Sequence, residues 1–120
     1  MLNLDTHLFV FALAGELSEK EIALLLKTRW SISEIVLWEL AKLVQLDRLQ
    51  MDLRSPNFIR CLKAVHIWPI DLQVSLQSTS LDIRSDPADE IIAATSIVHN
   101  IPLITRDLKL LRSKQIPLAK

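Results

Sequence analysis

Short apolar segments alternate with amphipathic segments along this chain of 120 residues, and the alternation limits its fold more than any other feature. Apolar residues that recur at three- and four-residue spacing predict helices, and the short apolar runs between them predict buried strands. Strands that alternate with helices favour a parallel sheet covered on both faces. We therefore expect an α/β fold, a three-layer α/β/α sandwich around a short central parallel sheet, in a single domain over residues 1–120. The predicted strands are residues 1–4, 30–32, 67–70 and 101–105.

Capping residues mark where the predicted helices begin. Ser18 and Glu21 have the spacing of a capping box, and Ser33 can cap the apolar stripe that follows it. Asp86-Pro87 joins a capping residue to a first-turn proline, which is typical of a helix start. Pro69 weakens the third predicted strand or moves it to a sheet edge, because proline lacks the N–H that a ladder needs. Helices are expected near residues 8–15, 18–27, 33–45, 56–65 and 87–100, and for about two turns after residue 71.

Two rare residue types exclude whole classes of function. Gly15 is the only glycine, so the glycine-rich loops that cradle phosphates in nucleotide-cofactor enzymes are excluded. Cys61 is the only cysteine, which excludes an internal disulfide and a paired-cysteine zinc site and suits a reducing compartment. Its expected role is that of a small buried apolar residue. With no stretch of roughly 18 apolar residues and no basic start, we expect a cytoplasmic protein without membrane association.

The formal net charge is zero, so no overall basic field marks the chain as a nucleic-acid binder. The last fifteen residues differ, because five of them are basic and only Asp107 is acidic. This local positive charge permits contact with a polyanion, and the alternative is an ordinary solvated face.

Four acidic residues stand within otherwise apolar segments. Asp5 and Asp107 follow the first and last predicted strands, at the strand ends where open α/β sheets bind ligands. Glu39 shares a helical face with Ile35 and Leu43, which points it toward a half-buried space where a carboxylate needs a partner charge or a metal. The fourth is Asp89, near the start of a predicted helix whose dipole favours negative charge.

Each of these acids also has a purely structural alternative. An aspartate after a strand often caps the next helix, which applies to Asp5 and Asp107. Glu39 can pair on the surface with Lys42 or Lys63, and Asp86 and Asp89 have the spacing of a capping box.

Taken together, the four acids predict a hydrolytic metal site. Carboxylates that gather at one place repel each other and need a cation, and hard oxygen ligands suit Mg²⁺ or Mn²⁺. Such an ion can lower the pKa of a water and stabilise the charge that develops on a phosphate, so we expect hydrolysis of phosphodiester bonds.

Four sequence motifs resemble those of the PIN domain, and in particular of the VapC-type ribonuclease toxins of prokaryotic toxin–antitoxin pairs. The resemblance covers nearly the whole chain. Its motifs are L-D-T-H at residues 4–7, I-S-x-x-x-L-W-E-L-A at 32–41, D-P-A-D-E-I-I-A-A-T at 86–95 and P-L-I-T-R-D at 102–107.

The resemblance implies a single-strand endoribonuclease that depends on Mg²⁺ or Mn²⁺. Asp5, Glu39 and Asp89 match the three principal acids, and Asp107 matches the fourth. Three accompanying positions are expected to serve substrate binding: Thr6, Thr105 and Arg106. Thr105 is the expected polar residue beside the metal, and Arg106 is the expected basic residue at a substrate phosphate. Asp86 is an auxiliary acid and the expected helix cap. The partners implied are an RNA substrate, a cognate antitoxin protein and a second copy of the chain in a homodimer.

Two other enzyme classes also place carboxylates at the ends of strands, and the sequence fits both badly. Haloacid-dehalogenase-like phosphatases need an aspartate where this chain has His7, and two-component receivers need a lysine where it has Asp107. A PIN-fold binding or scaffold protein with little or no nuclease activity remains the alternative. No pair among the histidines at positions 7, 66 and 99 has the spacing of zinc ligands. The tryptophans at positions 30, 38 and 68 are expected in the core, with base stacking as the alternative.

Overall fold

Four short parallel strands form the centre of the structure, a computed structural model that describes residues 1–120. The order across the sheet is third, second, first, fourth, and helices flank it, as the sequence predicts. The strands are β1 (Leu2–Leu4), β2 (Trp30–Ser33), β3 (His66–Trp68) and β4 (Leu103–Ile104). The helices are α1 (Thr6–Ala14), α2 (Glu19–Leu25), α3 (Glu34–Gln45), α4 (Pro56–Ala64), α5 (Leu72–Ser78), α6 (Pro87–His99) and α7 (Leu108–Leu111). None of these helices is long and apolar enough to span a bilayer.

Local capping signals explain most helix boundaries. Ser18 and Glu21 form the predicted capping box at the start of α2, and the Ser33 hydroxyl accepts a hydrogen bond from the backbone at the start of α3. The helices α1 and α6 end where Gly15 and Asn100 take left-handed backbone conformations, with φ of 72° and 52°. Glycine and asparagine tolerate this region best, so both helix ends follow from residue type.

The prediction that the Asp86 side chain caps α6 is wrong. It occupies the position before Pro87 where α6 starts, but its side chain makes no capping hydrogen bond. Asp89 does not complete a capping box either, because its carboxylate accepts from Ser85 Oγ instead. The start of α6 is therefore set by the fixed φ of its first-turn proline, and the Asp86 side chain stays exposed.

The strands differ in burial according to their place in the sheet. All three residues of the central β1 are buried, whereas those of the edge strand β3 are only half-buried. Pro69 follows β3 directly, as expected of a proline at an edge. The predicted strand over residues 101–105 is shorter in the structure, because the chain turns after Ile104 and the Thr105 hydroxyl accepts a hydrogen bond from the Asp107 backbone.

Two further expectations concern apolar residues. Trp38 is 57% exposed, so its prediction as a core residue is wrong; it lies on the outer face of α3 under the Lys42 ammonium. Trp30 and Trp68 are half-buried. Cys61 is also half-buried, and it packs against the core from α4.

Asn3 joins the central strand to α6. Its side chain is fully buried, and Nδ2 donates to the Ile92 carbonyl at 3.2 Å and to Ser96 Oγ at 2.9 Å. Small residues on this face of α6, such as Ala93, let the helix approach the sheet closely. Because α6 carries Asp89, this contact helps to fix one of the predicted site acids relative to β1.

We predict that Asn3→Ala lowers the free energy of unfolding by about 1–3 kcal/mol, because it leaves buried polar groups on α6 without their partner. Chemical denaturation measures the loss. Asn57→Ala is the matched control, since Asn57 is exposed on α4 and bonds only to the Arg60 side chain, and its effect should stay within about 0.5 kcal/mol. Equal losses for the two variants would contradict the role given to Asn3.

Candidate active site

Asp5 lies directly after β1 and is only 5% exposed. Its Oδ1 accepts a hydrogen bond from the Leu8 backbone N–H at 2.8 Å, which caps α1, and its Oδ2 accepts from the Thr105 hydroxyl. The register of β1 and β4 explains the second contact. Leu4 pairs with Ile104, so the residues that follow them, Asp5 and Thr105, lie side by side. The capping interpretation of Asp5 is thus confirmed, and it is compatible with the functional one, which stays a prediction.

The pKa of the Asp5 carboxyl is raised by its burial. Removal from water raises the pKa of its carboxyl, and this effect outweighs the hydrogen bonds from Thr105 and Leu8, which lower it. The nearby charge of His7 also lowers this pKa, whereas that of Asp107 raises it. The carboxylate is therefore in a place where a cation would stabilise its ionised form.

Asp107 follows β4 and faces the same edge of the sheet. Its Oδ1 accepts from the Lys109 backbone N–H at 2.8 Å and so caps α7. Its Oδ2 makes no hydrogen bond within the protein, which leaves that oxygen available to a ligand. The Asp107 backbone N–H in turn donates to the Thr105 hydroxyl at 3.0 Å, which links Asp107 to Asp5 through one threonine.

Asp89 lies in the first turn of α6 and is half-buried. Its Oδ2 accepts a hydrogen bond from Ser85 Oγ at 3.1 Å. Burial raises the pKa of the Asp89 carboxyl to about 6, the Ser85 bond opposes this, and the charges of Glu39, Asp107 and Asp5 add to it. Asp89 is thus close enough to the other three predicted acids for their charges to raise its pKa.

Glu39 projects from α3 into a half-buried position, and its Oε1 accepts a hydrogen bond from the Thr6 hydroxyl. Its predicted surface alternative fails, because the Lys42 ammonium bonds Gln45 Oε1 at 2.9 Å and no lysine forms an ion pair with Glu39. Thr6 and Thr105, predicted to serve substrate binding, each direct a hydroxyl at a site carboxylate in this structure.

A cavity of about 420 Å³ opens at this edge of the sheet. Its lining residues are Asp5, His7, Leu8, Phe11, Asp86, Asp89, Arg106 and Asp107. Glu39 is not among them, and no three acidic, histidine or cysteine side chains are grouped closely enough to hold a metal ion together. The acids therefore form an open cluster around a cavity, with Glu39 beside it.

Arg106 lines the cavity, but most of its guanidinium is already engaged. Nε and Nη2 donate to the two carboxylate oxygens of Glu21, both at 2.8 Å, and Nη2 also donates to the Glu16 carbonyl at 3.1 Å. The guanidinium carbon lies 4.2 Å from the centre of the Phe11 ring. The hydrogen bonds from Arg106 are the main cause that lowers the pKa of Glu21 to about 2.

Sequence reasoning missed three residues at the site. Glu21 was interpreted only as a capping-box residue, and 85 positions separate it from Arg106, so no local pattern pairs them. Ser85 carried a weak signal as a hydroxyl before the predicted helix start. His7 was considered for zinc and set aside, yet its exposed ring lies at the cavity. The other two histidines lie elsewhere, with ring centres 4.1 Å from that of Trp68.

The sequence and the fold are similar to those of known proteins. The chain is 32% identical to Ribonuclease VapC22 of Mycobacterium tuberculosis (strain ATCC 25618 / H37Rv) over 91 residues, which cover 72% of this chain and 68% of that protein. Its fold is similar to that of FitAcB from Neisseria gonorrhoeae, with a TM-score of 0.74 and 22% identity over 100% of this chain and 97% of that one.

VapBC2 from Rickettsia felis, solved bound to a DNA fragment from its promoter, has a TM-score of 0.72 and 22% identity, and the match covers 99% of this chain and 98% of that one. At these identities the two solved structures establish the fold alone. The family model of the PIN domain matches residues 3–115, which include all four predicted acids. The chain belongs to the PIN domain family.

Proposed function

We propose that this protein is a metal-dependent endonuclease that hydrolyses phosphodiester bonds of single-stranded RNA. The observation that carries the proposal is the buried Asp5 carboxylate, which lines a cavity together with Asp89 and Asp107. The similarity to Ribonuclease VapC22 supports RNA as the substrate.

The chemistry of the four acids fits Mg²⁺ or Mn²⁺. All of them offer hard carboxylate oxygens, and the raised pKa of Asp89 reflects first its burial and then neighbouring negative charges that a cation would balance. The lack of a group of three ligands still allows Mg²⁺, because Mg²⁺ keeps several waters and binds through one or two carboxylates together with substrate phosphate. One or two of the cavity-lining acids Asp5, Asp89 and Asp107 would hold the ion directly, and the other acids, with Glu39 beside the cavity, would face its waters. When bound, the ion lowers the pKa of a water and balances charge on the phosphate.

The side chains around the acids prepare the site for this chemistry. Thr105 holds Asp5 in one orientation, and Thr6 does the same for Glu39. Arg106 brings a guanidinium to the cavity, where Nη1 makes no hydrogen bond within the protein and can donate to a substrate phosphate. Asp86 stays exposed at the rim as an auxiliary acid.

We further propose that the protein is the toxin of a toxin–antitoxin pair and that a cognate antitoxin binds it. Its fold is similar to that of a toxin–antitoxin complex from Klebsiella pneumoniae, with a TM-score of 0.72 and 20% identity over 93% of this chain and 91% of that one. The homodimer implied by the sequence motifs stays a prediction.

We predict that Asp5→Asn lowers Mn²⁺-dependent cleavage of single-stranded RNA by about 100-fold or more, since even outer partners of metal ligands contribute 10–100-fold. The variant should stay folded, because asparagine can still accept the Leu8 N–H. Gel electrophoresis of an end-labelled RNA measures cleavage.

Asp47→Asn is the matched control, because Asp47 is exposed after α3 and its φ of 56° is one that asparagine tolerates. Undiminished cleavage by Asp5→Asn would favour a contaminating nuclease, and no cleavage by any form would favour the binding or scaffold alternative.

We predict that Mn²⁺ at about ten times its Kd raises the Tm by about 4–6 °C, because ligand binding at that concentration adds roughly 1.4 kcal/mol to the free energy of unfolding. Asp89→Asn should reduce the shift, and Asp47→Asn should retain it. Differential scanning fluorimetry with and without a chelator makes the comparison. An unchanged Tm of the wild type at millimolar Mn²⁺ would exclude metal binding of useful strength.

We predict that Asp89→Asn is more stable than the wild type at pH 7 without metal, and that the difference shrinks toward pH 4. An acid whose folded pKa is raised destabilises the fold when ionised, and this penalty appears as pH rises from the unfolded value of 3.8 to the folded value of about 6. After a discount for solvent screening, the gain at pH 7 is on the order of 1 kcal/mol. Urea denaturation at both pH values tests it. A wild type as stable as the variant at pH 7 would refute the raised pKa.

A further inference from the structure

We propose that Glu21 is a positioning residue for RNA binding: it holds the Arg106 guanidinium in the orientation in which its free edge receives a substrate phosphate. The inference rests on the proposed function, because it assigns a phosphate to the cavity that Arg106 lines. Glu21 itself lies outside that lining and acts through the arginine.

The contact between the two side chains is specific in geometry. Both carboxylate oxygens of Glu21 accept from the guanidinium at 2.8 Å, in the paired arrangement that only arginine can make. The Glu21 side chain is 14% exposed and that of Arg106 is 44% exposed, so water covers much of the arginine but little of its partner. The more accessible member of the pair is therefore Arg106.

The carboxylate of Glu21 is held in place independently of Arg106. Its Oε1 also accepts from the Ser18 backbone N–H at 2.8 Å, and the Glu21 backbone N–H donates to the Ser18 hydroxyl at 3.2 Å. This capping box fixes the side-chain rotamer at the start of α2. A carboxylate that is already fixed can orient a mobile arginine, because only the arginine loses conformational entropy when the two side chains pair.

The remaining contacts of Arg106 define which edge of the guanidinium is free. Nη2 also donates to the Glu16 carbonyl, and the guanidinium carbon lies over the Phe11 ring. Together with Glu21 these contacts use Nε and Nη2, whereas Nη1 makes no hydrogen bond within the protein. Two N–H donors thus remain for a ligand in the cavity. Glu21 also offsets the charge of Arg106, so its benefit to binding is one of orientation and not of long-range attraction.

Three variants separate positioning from helix capping. Glu21→Gln keeps the capping box, since glutamine serves equally at that position, but loses the ionic pair. Arg106→Lys keeps the positive charge but cannot make the paired contact. Ser18→Ala weakens the start of α2 without removing any contact to Arg106, and it is the control for a purely structural effect.

The test is a double-variant cycle on RNA cleavage in saturating Mn²⁺, with kcat and KM measured separately. Glu21→Gln is expected to raise KM about fivefold to tenfold with little change in kcat, because an oriented charged hydrogen bond to the substrate is weakened. In the Arg106→Lys background the same change should have no further effect. Ser18→Ala should lower Tm and leave KM unchanged.

A binding assay keeps this inference separate from the nuclease proposal. Anisotropy of a fluorescein-labelled single-stranded RNA is measured with Asp5→Asn alone and combined with Glu21→Gln, Arg106→Lys or both. If the wild type does not cleave RNA, the nuclease proposal fails and the binding cycle still decides the role of Glu21. Independent, multiplicative losses in the cycle, or no RNA binding by Asp5→Asn, would overturn the inference. Tighter RNA binding by Glu21→Gln would also overturn it and would show that Glu21 competes with the phosphate.

Discussion

The burial of the Asp5 carboxylate is the constraint on which the site depends. A carboxylate removed from water needs hydrogen-bond donors, and two different elements supply them: the first turn of α1 and the Thr105 hydroxyl after β4. The Leu8 donor is local, whereas Thr105 is in place only when β1 and β4 pair in their observed register. The sheet therefore fixes the geometry of the acid cluster, and a slip of β4 by one residue would leave Asp5 without one of its partners.

Two acids of the proposed site also stabilise helix starts. Asp5 and Asp107 each use one oxygen to cap a helix, and this use holds the carboxylate at the cavity. Capping therefore does not argue against a functional role, since a rigid helix start is a precise support for a ligand. Asp86 shows the converse, because it stands at a helix start without a capping bond and remains free at the rim.

Features encoded locally could be predicted from the sequence, and features that depend on distant residues could not. Helix starts at Ser18 and Ser33 follow from short-range hydrogen bonds, and the acids after β1 and β4 follow from strand order. The exposure of Trp38 depends on which face of α3 packs against the core, and the apolar residues next to Trp38 in the sequence do not determine that face. The pairing of Glu21 with Arg106 is tertiary and has no counterpart in either local segment.

The edges of the sheet limit how other chains can bind. The outer side of β4 is occupied by the chain's own last residues, because Leu103 exchanges backbone hydrogen bonds with Pro117 and Ala119 at 2.8 and 2.9 Å. The other edge, β3, is three residues long and is followed by Pro69. A chain that adds as a strand finds little template on either side, so edge-to-edge aggregation is disfavoured.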